Sequence, residues 1–253
     1  MIEKELRDAG VDQQRRTSGA AMDLLLHWAT PEIGVRGSAN LIEARDLMRE
    51  GVPHLVVANH ISNADGPVIK DVFATYRLPD PVFLVGLKLN QQWFTRFMAS
   101  GVNGIPVWPD TLEPATEGDK DKKSQVNARA AQASKMVLEA GHPLVVFPEG
   151  TRSRSAQLKE ANPKVSRYML MHPETRVLPL GIWNTEIVFP VDRALPKRGT
   201  NAQVAVGKST PVSLLGAGID MESTSGQKEL MDRTMKLVAG LLPAEYRGVY
   251  SNR

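Results

Sequence analysis

The sequence predicts an α/β fold, in which a largely parallel or mixed central sheet is flanked by helices and preceded by an N-terminal helical segment. Three observations carry this expectation. Short apolar runs, among them His54–Ala58, Leu144–Phe147 and Val177–Ile182, have the length and composition of strands buried on both faces. Longer stretches with apolar residues at helical spacing separate them. Glycine and proline stand at the joints between the two kinds of segment.

Taken in order, residues 1–30 read as an amphipathic helix, with Met22, Leu25, Leu26 and Trp28 following a polar stretch that holds Arg15 and Arg16. Pro31 stops it. A second helix is expected from Asn40 to Glu50, ended by Gly51-Val52-Pro53. Strands are expected next at His54–Ala58, Pro81–Leu87 and Gly104–Trp108. The charged segment Asp110–Lys123 is expected to be a mobile loop. Val126, Ala130, Ala133 and Val137 place a helix over Ser124–Ala140, stopped at Gly141. Strands at Leu144–Phe147, Val177–Ile182 and Val204–Val206 and a helix over Gln227–Leu242, closed by Pro243, complete the chain.

Composition excludes several function classes. The 253 residues contain no cysteine, so there is no disulfide framework, thiolate nucleophile or Cys-based zinc site. No apolar run reaches the roughly 18–20 residues of a membrane-spanning helix. The opening residues Glu3, Lys4, Glu5, Arg7 and Asp8 do not read as a signal peptide. A net charge of +3 is too small to indicate nucleic-acid binding. The charge is unevenly placed, however: Arg152 to Lys208 holds ten basic residues against four acidic ones, which suits an anionic ligand or lipid surface.

Two post-strand segments have residue types that carry chemistry. The first is Asn59-His60-Ile61-Ser62-Asn63-Ala64-Asp65-Gly66-Pro67. On one continuous helix His60 and Asp65 would point about 140° apart. They meet if His60 ends the strand and Asp65 begins the next helix, with Pro67 in its first turn. A carboxylate on one imidazole nitrogen fixes the tautomer and leaves the other nitrogen as a base. The second segment is Phe147-Pro148-Glu149-Gly150-Thr151-Arg152-Ser153-Arg154. Gly150 permits a tight turn, and Arg152 and Arg154 offer the planar donor fork that grips phosphate. Other local patterns fail on spacing. Gly207-Lys208-Ser209-Thr210 lacks the earlier glycine of a phosphate-binding loop, and Gly216-Ala217-Gly218 meets Met221 where a dinucleotide fingerprint needs glycine. The five histidines share no metal-ligand spacing.

Together, in this order, the Asn-His-x4-Asp and Phe-Pro-Glu-Gly-Thr-Arg elements resemble the first and third blocks of the glycerolipid acyltransferase superfamily, whose lysophosphatidic acid acyltransferases make phosphatidic acid. Val177-Leu178-Pro179-Leu180-Gly181-Ile182 is similar to its fourth block, Val35–Leu41 to the segment before the first, and Val206-Gly207-Lys208 to a late strand-end turn. The resemblance spans residues 33–213. Two departures stand out. Val107 occupies the place of the second-block arginine that helps hold the acceptor phosphate, and Leu158-Lys159-Glu160-Ala161-Asn162 replaces a Phe-Lys-x-Gly stretch.

The resemblance implies acyl transfer without a cofactor, from acyl-CoA or acyl carrier protein to a lysophospholipid or glycerol-phosphate-type hydroxyl. His60 would act as base and Asp65 would orient it. Arg152 would hold the acceptor phosphate, with Lys88 and Arg154 as further candidates, while Gly150 and Thr151 complete the binding turn. Glu149 would either touch the acceptor or fix the loop. A backbone N–H of the first- or third-block loop would stabilise the oxyanion. Residues 1–32 would be a helical segment that lies in the bilayer interface or packs on the domain, and 33–253 the acyltransferase domain, in the cytoplasm or on the inner face of the membrane. The competing functions are a lipid- or acyl-CoA-binding protein without turnover and a phosphohydrolase with a metal on His60, Asp65 and Glu149.

Overall fold

A computed structural model describes residues 16–87, 102–109, 112–190 and 196–251. Eight strands form one mixed sheet: β1 (Gly34–Arg36), β2 (His54–Ala58), β3 (Val82–Gly86), β4 (Asn103–Val107), β5 (Leu144–Val146), β6 (Arg176–Trp183), β7 (Gln203–Val206) and β8 (Thr210–Pro211). Their spatial order is β1-β7-β6-β2-β5-β3-β4, with β8 also on β6. The pairs β6/β2, β2/β5, β5/β3 and β3/β4 are all parallel. On the other side β7 and β8 run antiparallel to β6, and β1 is parallel to β7. The expected α/β class is therefore the observed one.

The central strands are apolar throughout because helices cover both faces. Leu55 and Val57 of β2 enter one core with Leu144 and Val146, while Val56 and Ala58 enter the other with Val145 and Leu178. The first core is closed by α4 (Glu117–Glu139), through Ala130, Ala133, Val137 and Leu138, and by α8 (Thr224–Leu241), through Leu230, Met231, Met235 and Val238. The second is closed by α1 (Arg16–Ala29), α2 (Ser38–Arg49) and α3 (Asp65–Thr75). Short helices α5 (Ser166–Met169), α6 (Thr185–Val188) and α7 (Val212–Leu215) complete the described α-helices.

Pro179 lies in β6, the neighbour of the central strand, where a missing N–H is normally costly. It is tolerated because Pro179 sits where β6 changes partner, between β8 at Arg176–Val177 and β7 at Leu180–Trp183. Its carbonyl accepts from Gly207 N at 2.9 Å. A Cβ on Gly207 would lie 2.6 Å from Pro179 Cγ, so only glycine admits this approach. The turn that imitates a phosphate-binding loop is thus a packing device. At the opposite end of β2, buried His54 bonds Val52 O through Nδ1 (2.8 Å) and Ser209 Oγ through Nε2 (3.0 Å). Burial lowers its pKa to about 4, so it is a neutral structural histidine.

Among the described residues, the boundaries of the expected elements agree with expectation to within about three residues, apart from one segment; of the helix expected over 1–30, residues 1–15 lie outside the described residues and Arg16–Ala29 is helical. The segment expected to be a mobile loop over Asp110–Lys123 is helical from Glu117 onward. Thr116 accepts from Asp119 N at 3.1 Å, and Glu117 and Asp119 place acidic groups in the first turn, where the helix dipole favours them. The charge cluster is a capped helix start. In α1, Met22, Leu26 and Ala29 are buried against α3, and Asp23 pairs with Lys70 at 2.9 Å, whereas Leu24 and Trp28 are exposed. No described helix is long and apolar enough to cross a membrane.

Candidate active site

Parallel pairing of β5, β2 and β6 brings the loops beyond their C-terminal ends side by side, the edge where open α/β sheets bind ligands. The β2 loop begins with Asn59, whose side chain both donates to and accepts from the Ile182 backbone at 2.7 Å, tying the end of β2 to β6. His60 comes next, and α3 starts at Asp65 with Pro67 in its first turn. His60 Nδ1 lies 2.8 Å from Asp65 Oδ2. The same oxygen accepts from Ile61 N (2.8 Å) and Ser62 N (2.9 Å), and Oδ1 accepts from Thr185 Oγ1 at 2.5 Å. Asp65 is fully buried and His60 partly exposed. A carboxylate that already accepts from two backbone N–H groups and a hydroxyl calls for a donor at Nδ1, the tautomer that leaves the Nε2 lone pair free.

The β5 loop packs against this pair. The Phe147 ring stacks on the imidazole with centroids 4.3 Å apart and planes inclined by 19°. Glu149 sends its carboxylate to the backbone, with Oε1 accepting from His60 N at 2.8 Å and Oε2 from Lys159 N at 3.1 Å. Of the two roles expected for Glu149, this geometry supports loop fixation. Burial raises its pKa to about 7 against the pull of those two N–H groups and the Lys159 charge, with nearby Asp65 adding to the rise. Ser153 N donates to His60 O at 2.7 Å, a second tie between the loops. Gly150 turns the chain at φ +68°, a conformation that suits glycine.

Arg152 is half-buried. Burial lowers its pKa, while the charge of Asp65 opposes that shift and Arg154 adds to it. Arg154 and Thr151 are exposed. Lys159 Nζ donates to Thr151 O and Oγ1, both at 2.7 Å, and to Arg152 O at 3.3 Å, fastening the turn from behind. Lys88 lies outside the described residues. Val107 ends β4 and packs partly buried against the first core. The basic surplus of Arg152–Lys208 is divided. Arg176 binds Ser209 at the far end of β6, Arg167 lies 4.8 Å over the Tyr168 ring, and Arg152 and Lys159 are at the site.

Three contributors escape sequence reasoning: Phe147 as a ring stack, Lys159 as a clamp and Thr185 as a partner of Asp65. Only Lys159, a cation ten residues beyond Glu149, carries a usable signal. The metal set considered for a phosphohydrolase does not assemble, because His60 Nδ1 faces Asp65 and both Glu149 oxygens face backbone N–H groups. Among the described residues no group of three His, Asp or Glu is placed to hold a metal ion.

The fold is similar to that of the 1-acyl-sn-glycerophosphate (LPA) acyltransferase PlsC of Thermotoga maritima, at 18% identity and a TM-score of 0.52, over 95% of this chain and 81% of that one. A model of the Acyltransferase family matches residues 33–183, the stretch that carries His60, Asp65, Glu149 and Arg152, and the chain belongs to that family.

Proposed function

We propose that the protein transfers a fatty acyl group from acyl-CoA or acyl-ACP to the free hydroxyl of a phosphate-bearing lysolipid, with 1-acylglycerol-3-phosphate as acceptor and phosphatidic acid as product. The observation that carries this reading is the hydrogen-bonded His60–Asp65 pair, with the loop that bears Arg152 tied to it through Ser153 N on His60 O. His60 Nε2 takes the proton of the acceptor hydroxyl as its oxygen attacks the thioester carbonyl, and Asp65 supports the imidazolium. The tetrahedral intermediate collapses with loss of the thiolate, which takes the proton back from His60. The products are the ester and the free thiol. The N–H groups of His60, Ile61 and Ser62 are already committed to Glu149 and Asp65, and that of Gly150 to Phe147 O, so within the two loops we assign the oxyanion to the N–H groups of Thr151 and Arg152. Arg152 holds the acceptor phosphate bidentately, with the exposed Arg154 as a second candidate.

Free-thiol release from acyl-CoA, with and without lysophosphatidic acid, tests this reading against His60→Ala, and a chain without cysteine gives no thiol background. Acceptor-dependent release lost in the variant is the expected result. Acceptor-independent release would mean a thioesterase. Silence with both donors and a panel of acceptor alcohols would favour the lipid-binding reading, which the loss of a second-block arginine at Val107 motivates.

We also place the protein at the inner face of the membrane, with Leu24 and Trp28 of α1 in the interface. Their exposures of 75% and 48%, one helical turn apart, support this. Leu24→Ser/Trp28→Ser should abolish co-sedimentation with anionic vesicles and leave the fold intact. Unchanged co-sedimentation refutes the placement.

A further inference from the structure

We propose that Thr185 is a positioning residue for acyl transfer, acting through Asp65; this rests on the His60–Asp65 reading above. Thr185 opens α6 just beyond the stretch that matches the family, and it reaches the site from β6, a third strand. Asn184, in the left-handed region at φ +67°, turns the chain out of β6 and is itself tied to Asn201 O at 3.2 Å. Asparagine is among the few side chains that tolerate this conformation, so the turn and the position of Thr185 just after it are well determined. Thr185, fully buried, then donates from Oγ1 to Asp65 Oδ1 at 2.5 Å.

The two oxygens of Asp65 are differently served. Oδ2 faces His60 Nδ1, Ile61 N and Ser62 N, whereas Thr185 is the one hydrogen-bond donor to Oδ1 among the described residues. A buried carboxylate oxygen without a donor is strongly disfavoured. Without the hydroxyl, the carboxylate relieves that cost by rotating about Cβ–Cγ or by taking up a proton. Either change disturbs the oxygen that His60 depends on. The imidazole then loses the partner that fixes its tautomer and supports its charge in the transition state, while the acceptor and donor sites stay intact.

The test is Thr185→Val, which keeps the shape and removes the hydroxyl, beside Thr185→Ser, which restores it. Both are assayed by thiol release from acyl-CoA with lysophosphatidic acid, with His60→Ala in parallel. Hydrogen bonds to charged groups of this kind imply that kcat falls roughly ten- to a hundredfold in Thr185→Val at unchanged KM, and that Thr185→Ser recovers to within about threefold of wild type. Thr185→Ala replaces Val in the comparison if Val does not fold. Independently of turnover, the downfield proton resonance of His60 Nδ1, identified by its absence in His60→Ala, should move upfield in Thr185→Val and return in Thr185→Ser. A Thr185→Val kcat within twofold of wild type, or equal losses in Val and Ser, overturns the inference. Wild-type turnover in His60→Ala would instead overturn the functional reading on which it rests.

Discussion

Glu149 places its carboxylate 2.8 Å from the backbone nitrogen of His60 rather than against the imidazole. It is the joint between the two loops that make the site, with one oxygen on the β2 loop and the other on Lys159 N. Burial costs the charged form its water and lifts the pKa to about 7, against the pull of the two backbone N–H groups.

That shift makes stability depend on pH. The folded state holds the Glu149 proton more tightly than the unfolded chain, whose carboxyl titrates near 4.5. Between these two values the contribution of Glu149 to stability falls as pH rises, by about 3 kcal/mol in all, and it is constant above pH 7 and below 4.5. Urea unfolding of wild type and Glu149→Gln at pH 5 and pH 7.5 measures it. The wild type should lose stability relative to the variant at the higher pH, and a difference independent of pH would falsify the assignment.

Much of this arrangement is legible in the sequence because it is local. His60 and Asp65 meet as expected, since a strand end, a tight loop and a helix start with proline in its first turn leave few other conformations. The mixed sheet follows from apolar runs that need cover on both faces. The contacts that stay hidden depend on strand order. Thr185 and Lys159 reach the site only because β6 and β5 flank β2, and nothing in a threonine after a strand announces that neighbour. The Glu117 helix start is obscured because charge density outweighs the Thr116–Asp119 cap that the same residues spell.

The stack of Phe147 on His60 predicts a catalytic effect without a binding effect. A ring face beneath the imidazole holds its plane and favours the imidazolium formed in the transition state. Phe147→Leu keeps the apolar volume and removes the ring face. Cation–π stabilisation of about 1 kcal/mol implies a kcat lowered roughly fivefold, with KM for both substrates unchanged. Steady-state kinetics of the purified variant checks this, and a change confined to KM would contradict it.

Lys159 should divide the two parameters the other way. Its Nζ bonds fix the carbonyls of Thr151 and Arg152, and so the direction in which Arg152 leaves the turn. Lys159→Met keeps the stem, and the backbone bond to Glu149 survives because it uses the main-chain N–H. The expected result is a KM for the phosphate-bearing acceptor raised about tenfold, as for loss of charge-assisted hydrogen bonds, with kcat within about threefold of wild type. If kcat alone collapses, the clamp acts on the chemistry and not on the acceptor.

The Gly207–Pro179 contact offers a test of the fold that is independent of function. Proline in β6 and glycine in the neighbouring turn are complementary: the proline ring occupies the space a Cβ on Gly207 would need. Gly207→Ala should therefore destabilise the protein by about 1–3 kcal/mol, because a 2.6 Å approach forces either the ring or the turn to move. Pro179→Ala alone leaves a small cavity. In the double variant the added methyl occupies space the ring has vacated, so the two losses should not add. A double-mutant cycle by urea unfolding should give a coupling of at least about 1 kcal/mol in the favourable direction. Strict additivity would mean that the turn adapts without involving the proline, and that the two residues are neighbours without being partners.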